Sequence, residues 1–518
     1  MADIVKMKSR RESSSDEDSG RLAKKPRTVH PLTYKSVRII TQGDIDSLYP
    51  LIVAYIETPS LADSITDFAI DMDTWPCNIV GSGFGDSNPE VSPHPVEDQL
   101  HAAVESYVRD MGLGDGALQI MLPALEWKKR QLRDGVQESR GERARHEKDF
   151  ATSASAILLA LCKNITTLYL GSLGWIESPF QLYMLLSGMN RIPQPGLRNV
   201  TRVEAIAGAT GSNSEREHAW VSFQKHFNYI CRLPALESVV LDGFADKSCV
   251  NPHTLPQSAS SIKKISIHHA DMSSRVIGKL LAVPKHLEEL SLSLSKLRLF
   301  FGGPSQIFPR TVGEYLSRHR ETLRVLDLDM DISNCGCHGY DSESDSDREE
   351  GSRHRPNPVS SLVRGLEQQP KPRAPSPSGS SDEAWLLSPS LPVEVNLEHG
   401  NIVGSFGDYK SMTHLSIGIK TLLGPTQDGK LAEHPPCRLI DALPPSLEYL
   451  RLYGYERGEN ADIDEHVNEF MEKREERLPL LKEVKGVDGR VEPESSMYKG
   501  QDDSTWQRPK RDFGWVKA

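Results

Sequence analysis

The chain has 518 residues, 37% of them hydrophobic, 7% aromatic and 26% charged, with a formal net charge of −11. That acidic balance argues against a general nucleic-acid or membrane-surface binder, since both need a positive field. No apolar run approaches the ~18 residues of a membrane span. Seven cysteines are few for this length, and no secretory leader is read at the start, so a nuclear or cytoplasmic protein is expected.

Taken in chain order, residues 1–30 are almost devoid of apolar side chains and read as a disordered tail. Basic clusters (Lys6, Lys8, Arg10, Arg11, then Lys24, Lys25, Arg27) flank Ser13, Ser14, Ser15, Asp16, Glu17 and Asp18. This is either a bipartite nuclear-import signal beside an acidophilic-kinase site or a solvated charged tail. From residue 31 to 332 the pattern is strand and helix, as it is again from 391 to 490. Between them, 333–390 is rich in Ser, Pro, Asp and Glu and reads as a disordered insertion, and 491–518 as a polar tail.

One grammar recurs in the ordered parts: apolar, two variable, apolar, one variable, apolar. It occupies 65–70, 165–170, 236–241, 262–267, 287–292, 323–328, 412–417 and 447–452, with weaker copies starting at Val200 and Leu481. The fourth and sixth positions alternate with period two, so they share one side of a short strand, and the first fills the same interior. Helix-like segments lie between copies at 180–186, 215–230, 275–281, 312–316 and 463–471. A strand–helix unit returning every ~25–36 residues cannot hide its apolar side alone but can when stacked. The expected fold is therefore α/β, an irregular leucine-rich-repeat solenoid with a parallel sheet on its concave face.

The copies Leu236-Glu237-Ser238-Val239, Leu287-Glu288-Glu289-Leu290 and Leu447-Glu448-Tyr449-Leu450 resemble the irregular repeats of fungal F-box/leucine-rich-repeat proteins. The front resembles them too: a strand at 34–39, a helix at 48–55, then Pro59-Ser60-Leu61-Ala62 and a strand at 65–70, with a helix at 156–161 ahead of the next copy. The resemblance implies a substrate receptor that reaches a cullin-type ubiquitin ligase through a Skp adaptor. The F-box itself is not recognisable, which leaves a scaffold with no ligase link as the alternative.

No enzyme is expected. Gly424 to Lys430 nearly matches a phosphate loop, but Leu431 replaces the metal-binding hydroxyl and Pro435 and Pro436 interrupt the helix it needs. Gly81, Gly83 and Gly85 do not place a third glycine at dinucleotide-loop spacing, and no helix follows them, so they read as a loop. Cys335, Cys337 and His338 lack a second pair of zinc ligands, so neither metal nor cofactor is expected. The expected partner is a protein, met by outward strand positions on the concave face. The candidates are Tyr169, Asp242, Lys264, His268, Glu289, Asp327, Asp329, His414, Tyr449, Arg451 and Tyr453.

Overall fold

A computed structural model describes most of residues 33–71, 97–171, 197–206, 230–246, 260–294, 308–330 and 402–491, with Trp75, Phe227, a few flanking positions and Val516–Lys517. The tail 1–30, the insertion 333–390, the expected helix at 180–186, most of that at 215–230 and the glycines at 81–85 lie outside the described residues.

The front of the chain folds in the order its pattern implies. Strand β1 (Tyr34–Ile39) leads into helix α1 (Gln42–Glu57), a 3₁₀ turn (Pro59–Ser64) and β2 (Asp67–Ile70). A reciprocal capping box starts α1. Thr41 accepts from the Asp44 amide at 3.3 Å, and Asp44 accepts from the Thr41 amide at 2.8 Å. Three helices then intervene before the next strand: α2 (Asp98–Asp110), α3 (Asp115–Asp134) and α4 (Arg140–Leu161). Of these, only the last turns of α4 lie in a segment expected to be helical, 156–161. Residues 150–162 of α4 and its cap are buried on all sides, and α4 packs against α1 and α3. Two of its buried hydroxyls are satisfied within the helix, Ser153 and Ser155 each donating to the carbonyl four residues back at 2.7 Å.

Among the described residues the main ladder continues with β3 (Thr167–Leu170), β4 (Arg202–Ile206), β5 (Ser238–Asp242), β6 (Lys264–Met272), β7 (Glu289–Leu294), β8 (Val325–Asp329), β9 (His414–Gly418), β10 (Tyr449–Tyr453) and β11 (Glu483–Lys485), while the short strands Ala219–Trp220 and Phe244–Asp246 pair beside β6. The eleven strands β1 to β11 form one open parallel sheet in which each strand lies beside its successor in the ladder. At the outer side of β1, β12 (Val516–Lys517) pairs antiparallel, within the stretch expected to be a polar tail. Every hexapeptide copy, the two weaker ones included, supplies a strand. Register is constant across the copies, with a shift only past Ile267 on β6: Leu290, Leu326, Leu415 and Leu450 align across neighbouring strands, as do Leu292, Leu328, Ile417 and Leu452. All eight are buried, and so are the first-position residues Ile65, Ile165, Val200, Leu236, Ile262, Leu287, Leu323, Met412 and Leu447. Burying each such side chain contributes on the order of 1.5–3 kcal/mol. The long stretch between β8 and β9 leaves their pairing uninterrupted.

A small polar residue precedes many of these first-position residues and bonds back to the neighbouring unit. Asn164 donates to the Asp63 carbonyl, Asn199 to Lys163, Ser261 to Leu236, Thr322 to Leu287, Ser411 to Glu321 and Ser446 to Met412, at 2.7–2.9 Å. These bonds satisfy turn carbonyls beyond the reach of the strand ladder. Helices α5 (Ser274–Leu281), α6 (Pro309–Leu316), α7 (Ile419–Leu423), α8 (Leu439–Ala442) and α9 (Ala461–Arg477) return the chain between strands. Gly313 of α6 lies so close to the segment before β9 that a Cβ there would stand 1.8 Å from the Val403 carbonyl oxygen.

Buried His319 joins two such units. Its Nε2 donates to the Leu281 carbonyl at 2.8 Å, and its Nδ1 accepts from the Leu287 amide at 3.4 Å. That pairing fits only the neutral ring. Burial, reinforced by Arg318 and His286, holds its pKa below the ordinary 6.5 against the opposing pull of the Leu281 carbonyl. With the folded pKa depressed, the unfolded state binds more protons below about pH 6.5, so stability falls as pH drops through that value toward the folded pKa. Denaturant unfolding from pH 8 to pH 5 is expected to show a steeper loss in the wild type than in His319→Gln. Equal slopes would remove this histidine from the account.

Candidate functional site: the outer face of the sheet

The third and fifth positions of each copy point away from the core, and register lines them up in rows. One row runs Thr167, Arg202, Ser238, Lys264, Glu289, Val325, His414, Tyr449 and Glu483, and the next runs Tyr169, Glu204, Val240, Ser266, Ser291, Asp327, Ser416, Arg451 and Lys485.

The two halves of this face differ. Toward the N-terminal strands it is covered: Ala69, Tyr169 and Ile206 form a second apolar cluster separate from the main core. Glu204 is buried there too, its carboxylate 2.7 Å from Arg202. Tyr169 and Asp242, both expected in solvent, are buried, and so is Asp329 near the ends of the middle strands. Lys264 and His414 are exposed, whereas His268, Glu289, Asp327, Tyr449 and Arg451 are partly exposed. Lys264 and Glu289 pair with each other at 2.6 Å.

The expected Tyr449, Arg451 and Tyr453 group is drawn together with residues from three other strands. Tyr453, itself buried, donates to Asp327 Oδ1 at 2.9 Å. Gly418, its pairing partner on β9, has no side chain to block that reach. Burial first, then the Asp327 carboxylate, pushes the Tyr453 phenol up to about 12, so it keeps its proton and remains a donor. The Arg451 guanidinium lies 5.8 Å from the Tyr449 ring centre and 5.9 Å from that of Tyr453, and its Nε donates to Tyr449 Oη at 2.9 Å. His414 stacks on Tyr449 at 5.7 Å, and the Lys485 ammonium sits 5.6 Å from the same ring. The result is a rigid aromatic platform edged with cations. Its aromatic rings and guanidinium are the groups that carry most energy in interfaces.

Lys485 and Glu483 were not among the expected site residues. They occupy the fifth and third positions of the weak copy starting at Leu481, so the same grammar would have named them. The resemblance of Gly424 to Lys430 to a phosphate loop also fails in the structure. Gly424 caps the end of α7 with φ 107°, and Thr426–Gln427 pairs with Lys430–Leu431 in a short hairpin where a phosphate loop has its helix. Away from this face, His101, Glu105 and Glu126 converge between α2 and α3 and are the side chains placed to share a metal among the described residues. No described helix is long and apolar enough to cross a membrane. Neither a protein-family model, nor a curated protein, nor a solved structure matches this chain.

Proposed function

We propose that the chain is a non-catalytic, protein-binding leucine-rich-repeat solenoid whose recognition surface is the outer face of β8 to β11, centred on Tyr449 and Arg451. What supports this reading most is the joining of Tyr449, Arg451, Tyr453, His414 and Lys485 into one pre-ordered platform on the more open half of the sheet. A rigid platform loses little side-chain entropy on binding. The Tyr and Arg content suits an interface centre, and the cationic edge suits a partner segment that carries aromatic and acidic residues. The resemblance to F-box/leucine-rich-repeat proteins supports a substrate-receptor role with a Skp adaptor and a cullin. The alternative is a scaffold of the nucleus or cytoplasm with no ligase link, favoured by the basic clusters at Lys6 to Arg11 and Lys24 to Arg27.

Both parts are separable in one experiment. The tagged chain and the double variant Tyr449→Ala/Arg451→Glu are each recovered from cells and their bound proteins quantified. Loss of two hot-spot side chains is expected to weaken substrate capture by about thirtyfold or more, equivalent to ~2 kcal/mol, with the melting temperature unchanged and any adaptor and cullin retained. Recovery of neither adaptor nor cullin removes the ligase link. Equal recovery of every bound protein by the double variant removes the site.

A further inference from the structure

The helices α2 and α3 carry a polar cluster that the sheet-face reading leaves unused. His101 is 3% exposed, and its Nε2 points between two carboxylates, 3.2 Å from Glu105 Oε1 and 3.1 Å from Glu126 Oε2. Both are ion-pair contacts, and neither gives this buried nitrogen a well-formed hydrogen bond. The other ring nitrogen is engaged: Nδ1 lies 2.7 Å from Tyr49 Oη, which fixes the ring's orientation. An Nε2–H facing two carboxylates off-line wastes its donor, and an Nε2 lone pair facing them is repelled. A cation at the focus of all three atoms relieves both.

We propose that His101 Nε2, Glu105 Oε1 and Glu126 Oε2 form a binding site for a divalent transition-metal ion of the zinc type, which clamps α2 to α3.

The spacing fits. Tetrahedral ligand atoms each ~2.1 Å from a zinc ion stand about 3.4 Å from one another, and here the nitrogen–oxygen separations are 3.1–3.2 Å with all three atoms within 4.8 Å of one another. One imidazole with two carboxylates suits zinc, and three protein ligands leave a fourth position for water. Glu105 and Glu126 are partly exposed, so an ion has a route from solvent. The outer contacts are those that orient metal ligands. Arg109 donates to the other oxygen of Glu105 at 3.1 Å, and Tyr49 holds the far side of the imidazole. Three cations stand near the carboxylates: Arg109 on the other oxygen of Glu105, Arg130 4.0 Å from Glu126 Oε1, and the Lys129 ammonium 3.9 Å from Glu126 Oε2, which pairs more closely with Asp98 at 2.7 Å. His101 and Glu105, one turn apart on α2, and Glu126 on α3 make the site a staple between helices rather than a catalytic centre.

The test uses the full chain, freed of any histidine tag and carrying Cys335→Ser and Cys337→Ser so that those thiols cannot compete. Zn²⁺ titration is expected to show one ion per chain and to raise the melting temperature. Co²⁺ is expected to give the visible bands of a nitrogen–oxygen site without thiolate charge transfer, while Mg²⁺ competes poorly. Glu126→Gln, at a partly exposed position that tolerates the change, is expected to weaken Zn²⁺ binding by at least tenfold, and Tyr49→Phe by about tenfold through the freed imidazole. Circular dichroism confirms that both variants fold. Absence of stoichiometric binding to the wild type, or identical affinity in Glu126→Gln, overturns the proposal and leaves the cluster a purely structural polar contact.

Discussion

Leu326→Ala is expected to lower stability by about 3 kcal/mol, the middle of the range for a buried leucine truncated in a core that cannot close around the gap. Leu326 is 1% exposed at the fourth position of its copy, aligned with Leu290 on one side and Leu415 on the other. Both neighbours are held by their own strand ladders, so the sheet cannot collapse into the space left behind. Its chain neighbour Val325 points to the opposite face and is partly exposed, and Val325→Ala is expected to change stability by about 0.5 kcal/mol or less. Urea unfolding of the two variants measures the contrast directly. On the proposed solenoid reading, damage at β8 also weakens the coupling of β9 to β11 to the rest, so the transition should broaden as well as shift. Similar midpoints for both variants would mean that the period-two assignment of faces is wrong at this strand.

Asp46→Asn is expected to destabilise by about 2 kcal/mol, because removing the half-buried partner of an ion pair strands a buried charge. The stranded charge is Lys128, whose side chain is 1% exposed while that of Asp46 is 34% exposed. The Lys128 ammonium lies 3.0 Å from Asp46 Oδ1, with the ring centres of Phe150 and Trp127 at 5.2 Å and 6.0 Å. Those rings soften the loss of water around the ammonium but do not replace the carboxylate. The reverse substitution behaves differently. Lys128→Met fills the same space with an apolar chain and leaves Asp46 facing water and the Gln42 amide, 3.1 Å from Oδ1, so its cost is expected to stay within about 1.5 kcal/mol. Thermal denaturation of both variants decides the matter, and a larger loss in Lys128→Met than in Asp46→Asn would refute this ordering.

The strands were legible because two independent constraints coincide in each hexapeptide. Period-two alternation dictates a strand, and the first-position residue dictates which side is interior, so even the copies at Val200 and Leu481 read correctly. The helices α2 and α3 escaped for a physical reason: their inner faces carry His101, Lys128 and Gln131, all buried, and a polar residue in the apolar stripe erases the period on which a helix assignment depends. Exposure on the outer face was legible only in part. Pattern says that Tyr169 and Asp242 point away from the main core, which they do, but it cannot say whether something else lies over them. The polar residues ahead of each copy, such as Asn164, Asn199 and Ser261, were in plain view, yet their role becomes clear only when the preceding turn's carbonyl is seen at the same level. The Asp327–Tyr453 bond joins residues 126 apart in sequence across an intervening strand, and no local pattern encodes such a pair.

The two ends of the sheet carry a further meaning. A parallel sheet whose strands add in chain order is, chemically, a template that any extended peptide can lengthen, which makes an open edge an aggregation hazard. Here neither end is hospitable. Val516–Lys517 already occupies the hydrogen-bonding groups of β1 in the opposite direction. At the other end β11 is only three residues long and presents Glu483 and Lys485 joined at 2.8 Å. Directly after it Gly486 turns away at φ 88°, where a Cβ would stand 2.0 Å from the Leu452 carbonyl oxygen. Both described edges of the sheet thus end in features that discourage the addition of a further strand.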